Sequence, residues 1–253
     1  IATGDWDAVI VAHSSFRKID MPRDVQEEIL KEQIDAVIEA IEASKAAEGG
    51  RATIKQLEKQ REKMEERYNA LLAGTGQKDR AVDFADLGVD ALFIDESHEF
   101  KNLAFQTTMN VSGLGNVTGS AKALDLFIKC RYLQRQNNGR GVYFMTGTPI
   151  SNTIAEVYTL QRYMQYDELK DKNIEHFDAW ASTFGQVTSG WELDATGVNY
   201  KLSFYVQTNL FILIIFYISI YYLKSFIQKS PGKAPCIPLF SGYYSGYPYK
   251  LEC

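Results

Sequence analysis

Two short apolar runs, Ala91-Leu92-Phe93-Ile94 and Val142-Tyr143-Phe144-Met145, end in Asp95-Glu96-Ser97-His98 and Thr146-Gly147-Thr148-Pro149. No other feature constrains the fold of this chain as tightly. Short runs that are apolar throughout predict buried strands of a parallel sheet. The polar residues that follow then lie at the carboxyl ends of the strands, the edge where open α/β sheets bind ligands. Two adjacent carboxylates on that edge suit a magnesium-nucleotide site. One acid holds the hard cation through oxygen while the other orients or deprotonates water. An apolar run followed by Asp-Glu is also common in plain surface loops, so the first string by itself leaves both readings open.

Taken together, the two strings resemble helicase motifs II and III of superfamily 2 (DEAD/DEAH-type) ATPases, in the form found in Swi/Snf-type helicases and translocases. The likeness extends past the box: Lys101 and Asn102 stand where that family has a Lys-Asn pair. The second motif continues through Asn152 and Glu156 into an amphipathic helix. Upstream, Trp6-Asp7-Ala8-Val9-Ile10-Val11-Ala12-His13 is similar to the family's motif Ib strand, which leads into a nucleic-acid-facing loop. The resemblance covers about residues 1 to 200. With its long charged insertion, the chain looks like the helicases that phages and mobile elements link to adenine-specific DNA methylases.

The resemblance implies a partial RecA-like domain of α/β class, with a mostly parallel sheet and helices on both faces. It implies ATP and Mg2+ as cofactors and DNA, or RNA, as partner. A second RecA-like lobe and a methylase domain would be further partners. Asp95 is expected to hold magnesium through water, and Glu96 to polarise the attacking water. His98 is expected to link the hydrolysis site to motif III, with a satisfied core histidine as the alternative. Thr146 and Thr148 are expected to sense the γ-phosphate, and Pro149 to stiffen their turn. His13 and Ser14 are candidate phosphate-backbone contacts, with a plain loop as the alternative. Asn152 is read as a helix cap.

Composition sets looser bounds. A formal net charge of −5 excludes a strongly basic protein, but a translocase grips nucleic acid with a local patch that whole-chain charge averages away. Cys130, Cys236 and Cys253 have no paired spacing, so no zinc site or disulfide framework is expected, which fits a reducing cytoplasm. The chain starts at Ile1 with nothing like a signal peptide, and is read as an internal fragment.

Between the motifs, Val25, Ile29, Ile34, Val37, Ile38 and Ile41 recur at helical spacing. After Gly49-Gly50, so do Ile54, Leu57, Met64, Tyr68 and Leu71, with Arg61 filling the one seam position that is not apolar. Residues 23–73 therefore read as an antiparallel helical hairpin inserted in the lobe. It is either an arm toward nucleic acid or a partner, or a solvated insertion that packs on itself. The second reading is preferred, and predicts that the hairpin can be removed without unfolding the lobe.

Gly74-Thr75-Gly76-Gln77-Lys78-Asp79 is not a phosphate loop, because Gln77 and Asp79 replace the Gly and the Ser or Thr that must flank the Lys. Gly113 to Gly119 reads as a loop before a helix that Ser120 caps, with Lys122 able to meet a phosphate. No phosphate loop occurs elsewhere, and no second lobe with its arginine finger is recognisable. Since losing the finger alone costs ~10³–10⁵ in rate, the chain is expected to be silent by itself.

Residues 201–253 change in character. From Tyr205 to Phe226 the chain is dominated by Ile, Leu, Phe and Tyr, and Leu210 to Leu223 carries no charge. That core is shorter than the ~20 residues that cross a bilayer. A membrane segment, an ordinary buried element, and translated sequence foreign to the fold all remain open. The last is preferred, as an aberrant hydrophobic tail. The expected function is ATP-driven translocation on, or unwinding of, DNA. The rivals are a non-catalytic nucleic-acid-binding or scaffold lobe and a membrane-attached protein held by residues 205–226.

Overall fold

The computed structural model describes residues 4, 6–46, 51–73, 82–109, 114, 117–148, 153–193 and 200–208, with backbone alone at 52, 186–189, 191–193 and 200–208. The chain divides into two compact units, Ile1–Gln207 and Thr208–Cys253. In order, the elements are α1 (His13–Phe16), α2 (Arg23–Ala46), α3 (Arg51–Leu72), β1 (Leu92–Ile94), α4 (Ala121–Gln136), β2 (Val142–Phe144), α5 (Ile154–Asp171), α6 (Phe177–Phe184), β3 (Gly185–Leu193) and β4 (Tyr200–Thr208). The class is mixed α/β with a small parallel sheet.

The parallel pair is β1–β2, in register Leu92 to Val142, Phe93 to Tyr143 and Ile94 to Phe144. Successive strand residues point to opposite faces. Leu92, Ile94, Val142 and Phe144 join a core that includes Phe100, Leu103, Phe127, Leu133 and Tyr163. The opposite face carries Phe93 and Tyr143, ring-stacked at 4.6 Å, with Phe93 49% exposed. Coverage by helices on both faces, expected of the parallel pair, is therefore not seen at Phe93.

Helix α4 runs beneath the sheet. Ser120 caps it as its sequence suggested, with backbone at φ −125°, ψ 151° and its Oγ accepting from Ala123 N at 3.3 Å. The cap is approached closely by the segment that leaves β1. Ser120 N donates to Asn102 O at 2.8 Å and Phe105 N to Val117 O at 3.2 Å. Gly119 has φ +71°, and a Cβ there would meet Ala104 N at 2.4 Å, so only glycine fits. Helix α5 buries every residue from Ala155 to Tyr163, as a helix enclosed on all sides must. Its Tyr158 packs with Phe105, Phe177 and Trp180.

Helices α2 and α3 form the hairpin, seamed by Ile34, Val37, Ile41, Leu57 and Met64. It does not pack only on itself. Met21, Val25 and Ile29 belong to the main core, because the first turns of α2 lie against α4. Glu28 and Glu32 reach Arg135 of α4 at 3.1 and 3.5 Å, and Glu32 also reaches Lys170 of α5 at 2.9 Å. The base closes where Tyr68 donates to Glu27 Oε1 at 3.2 Å. The sequence pattern marked the stripe but not where its partner changes from α3 to the lobe.

One further expectation changes. Residues Trp6 to Ala12 form no strand, and Ile10 is 68% exposed; among the described residues no neighbouring strand offers that segment a ladder. At the other end, β4 begins at Tyr200 and is hydrogen-bonded to β3. The rest of the tail, including Leu210 to Leu223, lies outside the described residues, as do Gly74 to Asp79. Among the described residues no helix is long and apolar enough to cross a membrane.

Because Ile29 is fully buried in the main core, Ile29→Ala should lower the cooperative unfolding transition by about 2–5 kcal/mol. Replacing residues 23–73 by a Gly-Ser linker should yield insoluble protein. Circular dichroism melts and soluble yield measure both, and a linker variant that melts like the parent would contradict this packing.

Candidate active site

The two strings meet where the first one turns off the end of the parallel ladder. Leu92 N donates to Gly141 O at 2.7 Å, Met145 N to Ile94 O at 2.9 Å, and Ser97 N to Met145 O at 3.0 Å. The last bond lies beyond β1 and fixes the Asp95–His98 turn against Thr146. Asp95 starts the turn, and its Oδ1 accepts from Glu96 N at 2.9 Å. Glu96 sits in the left-handed region, φ 48° and ψ 43°. For a residue with a side chain this costs about 1–2 kcal/mol. Strain of this kind persists where neighbours hold it, and it clusters at functional positions.

The left-handed turn folds the Glu96 carboxylate back onto its own chain. Glu96 Oε2 lies 3.1 Å from His98 Nδ1, and the same Nδ1 lies 3.2 Å from Thr146 Oγ1. A proton on Nδ1 donates to the carboxylate and leaves the hydroxyl as the second neighbour. Thr146 Oγ1 in turn accepts from Thr148 N at 3.1 Å. Glu96, His98, Thr146 and Thr148 thus form one chain of contacts from a carboxylate to a backbone amide. His98 keeps 36% of its side chain exposed, so it is not a histidine enclosed in the core.

Two of the nucleic-acid candidates, His13 and Lys122, reach the same turn through Phe100 and Glu99. His13 contacts the Phe100 ring edge-on, with centroids 5.0 Å apart, and Lys122 Nζ lies 5.6 Å from that ring. Lys122 is ion-paired with Glu99, whose carboxyl is held below its ordinary range first by Lys122 and less by His98 and His13. Lys122 is therefore already engaged within the site. Ser14 is exposed on α1. Lys101 and Glu156, which the family pattern singled out, pair at 2.9 Å and tie the exit of the first motif to the helix after the second. Pro149 and Asn152 lie outside the described residues, and Thr153 occupies the position before α5.

Sequence reasoning missed Glu99, although its alternation with Glu96 and His98 was visible. It also missed Lys129, fully buried in the apolar run of α4. Lys129 donates to Phe16 O at 3.1 Å and to Asp125 Oδ2 at 2.8 Å, with the Phe16 ring 4.3 Å away. Burial pushes its ammonium down and the Asp125 carboxyl up. The pair anchors α1 and hence His13. The signal for it was the four-residue Asp–Lys spacing on a helix otherwise apolar at that level.

Among the described residues no three His, Cys, Asp or Glu side chains are grouped to hold a metal ion. The donors fit a different case. Asp95 offers a half-exposed carboxylate with one oxygen occupied by Glu96 N, and magnesium is commonly bound by one or two carboxylates while waters and substrate phosphates complete its shell.

A family model described as a probable helicase domain matches residues 1–225, and the chain belongs to that family. The match runs past residue 200, where the sequence resemblance was expected to stop. Among curated proteins, the chain is 26% identical over 163 residues to "Defense against restriction protein B" of Escherichia phage P1. That alignment covers 63% of this chain and 7% of the phage protein, so the chain corresponds to a small part of its relative's length. No solved structure matches it.

The contact chain makes Thr146→Val, which keeps shape and removes the hydroxyl, the informative substitution here. Stability should fall by about 1 kcal/mol, with faster amide exchange at Thr148 and a shifted His98 ring signal in NMR spectra. An unmoved His98 signal would show that the two strings are not joined through this hydroxyl.

Proposed function

We propose that this member of the probable helicase domain family forms the carboxylate side of a magnesium-ATP site in a DNA translocase or helicase, within a partial RecA-like lobe. Bound magnesium-ATP supplies the phosphoryl group and the charge neutralisation that its transfer requires. Asp95 holds the metal through water. Glu96 takes the proton of the attacking water, and His98 holds that carboxylate in place while reporting its position to Thr146. Thr146 and Thr148 pass the state of the γ-phosphate toward the nucleic-acid side, where His13 and Ser14 lie on α1. The observation that carries this reading is His98 Nδ1, shared between Glu96 and Thr146 at 3.1 and 3.2 Å. A buried structural histidine needs no partner on each of two separate motifs.

Magnesium, ATP and DNA enter here through the family and the donor set. The relative's printed role in defence against restriction favours DNA over RNA as the strand engaged. A second reading, a lobe that keeps the motifs without catalysis, draws on the absence of a phosphate-loop lysine anywhere in the 253 residues. On the first reading a phosphate-gripping lysine and an arginine finger come from elsewhere, and the site acts in the cytoplasm beside a second lobe.

For the isolated chain we expect no phosphate release above background, with or without DNA. DNA-binding anisotropy should weaken in the variants Ser14→Glu and His13→Glu. DNA-stimulated release lost in Glu96→Gln would mean that these residues supply the missing lysine themselves. Unchanged DNA affinity in both variants would remove α1 from the nucleic-acid face.

A further inference from the structure

Arg162 of α5 is 3% exposed, yet among the described residues no carboxylate stands within ion-pair distance of it. Its Nη1 donates to Ala104 O at 2.6 Å and its Nη2 to Gln33 Oε1 at 3.0 Å. Its Nε has no partner. The rings of Phe127, Tyr158 and Tyr166 surround the guanidinium at 5.3, 5.5 and 5.9 Å. Desolvating a cation against neutral acceptors is costly, and an apolar side chain would fill the same space without that cost. A guanidinium holds separate donors at fixed angles, here aimed at two different elements.

Those two elements are informative. Gln33 is buried on α2 of the hairpin, just where the stripe passes from the lobe to the hairpin seam. Ala104 lies in the backbone that leaves the Asp95–His98 turn, three residues past Lys101, which is itself paired with Glu156 of α5. Ala104 is also pinned from the far side by Gly119, where no side chain would fit. The part of α5 before its kink at Gln165 therefore grips the exit of the first motif twice, and its second grip is shared with the hairpin.

We propose that Arg162 is a positioning residue that locks the α2–α3 hairpin to the backbone leaving the Asp95–His98 turn, so that a load on the hairpin reaches the candidate site. The lock rests on this geometry alone. Its consequence for turnover rests on the nucleotide reading above.

Hydrogen–deuterium exchange on the 253-residue chain tests it, with Arg162→Met, Gln33→Leu and the double variant, both substitutions keeping bulk while removing polarity. Each single variant should speed exchange of the Leu103–Thr107 amides roughly tenfold, the size of one lost hydrogen bond, and the double variant no further than Arg162→Met. The amides of β1 and β2 should keep their protection in every variant. Unchanged exchange at Leu103–Thr107 would overturn the lock, as would additive effects in the double variant. A uniform rise through β1 and β2 with a lowered Tm would overturn it as well, reducing Arg162 to core packing. None of these outcomes depends on nucleotide, so failure of the magnesium-ATP reading leaves this test intact.

Discussion

The hydrogen bond from Ser97 N to Met145 O holds the candidate site together. It falls one residue past the parallel register of β1 and β2, where the left-handed Glu96 takes the chain off the ladder, and places a turn of one motif against the start of the other. A slip of one residue would turn Leu92 and Ile94 outward and carry Phe93 into the core. It would also move His98 away from Thr146. The left-handed Glu96 depends on the same bond, since the ladder on one side and the 3-10 turn of Ser97–Phe100 on the other hold its backbone.

Around this ladder the lobe uses buried polar groups to a degree that packing alone does not require. Lys129 ties α4 to Asp125 and to the carbonyl of Phe16. Arg131 forms a two-point pair with Asp167 at 2.6 and 3.0 Å, and Gln134 donates to Tyr163 O at 2.7 Å. The Asp167 carboxyl is held low chiefly by the bond from Arg131. Such groups add little net stability against apolar replacements, but each accepts only one arrangement of its neighbours. With Arg162, they join α1, α2, α4 and α5 to the segment leaving β1, the elements that must keep their places if the two motifs are to move as one unit.

Much of this was legible in the chain itself, for identifiable reasons. Both strands and the residues at their ends follow from apolar runs bounded by polar strings. The hairpin follows from two stripes at helical spacing, and the cap of α4 from Ser120. What remained hidden depends on partners far away in sequence. The burial of Ile29 against α4, the pairing of Lys122 with Glu99 and the two targets of Arg162 are all tertiary facts without local signature. Trp6 to Ala12 shows the reverse limit: its apolar content suggested a strand, but a strand needs a ladder and no described neighbour offers one. Of the candidate site residues, Glu96, His98, Thr146 and Thr148 are linked by direct contacts. Asp95 starts the same turn, His13 and Lys122 meet it through Phe100 and Glu99, and Ser14 stands outside.

On the proposed function, the turn at Asp95 and the turn at Thr146 face one metal-nucleotide position. Paramagnetic broadening of backbone NMR signals by Mn2+ with ADP tests it most directly, because the effect falls steeply with distance and needs no turnover. The account predicts that Asp95, Glu96, Thr146 and Thr148 broaden first and together, and that Asp95→Asn abolishes the pattern while the fold is kept. Broadening centred instead on the acidic surface at Asp167, Glu168 and Asp171, or unchanged by Asp95→Asn, would contradict it.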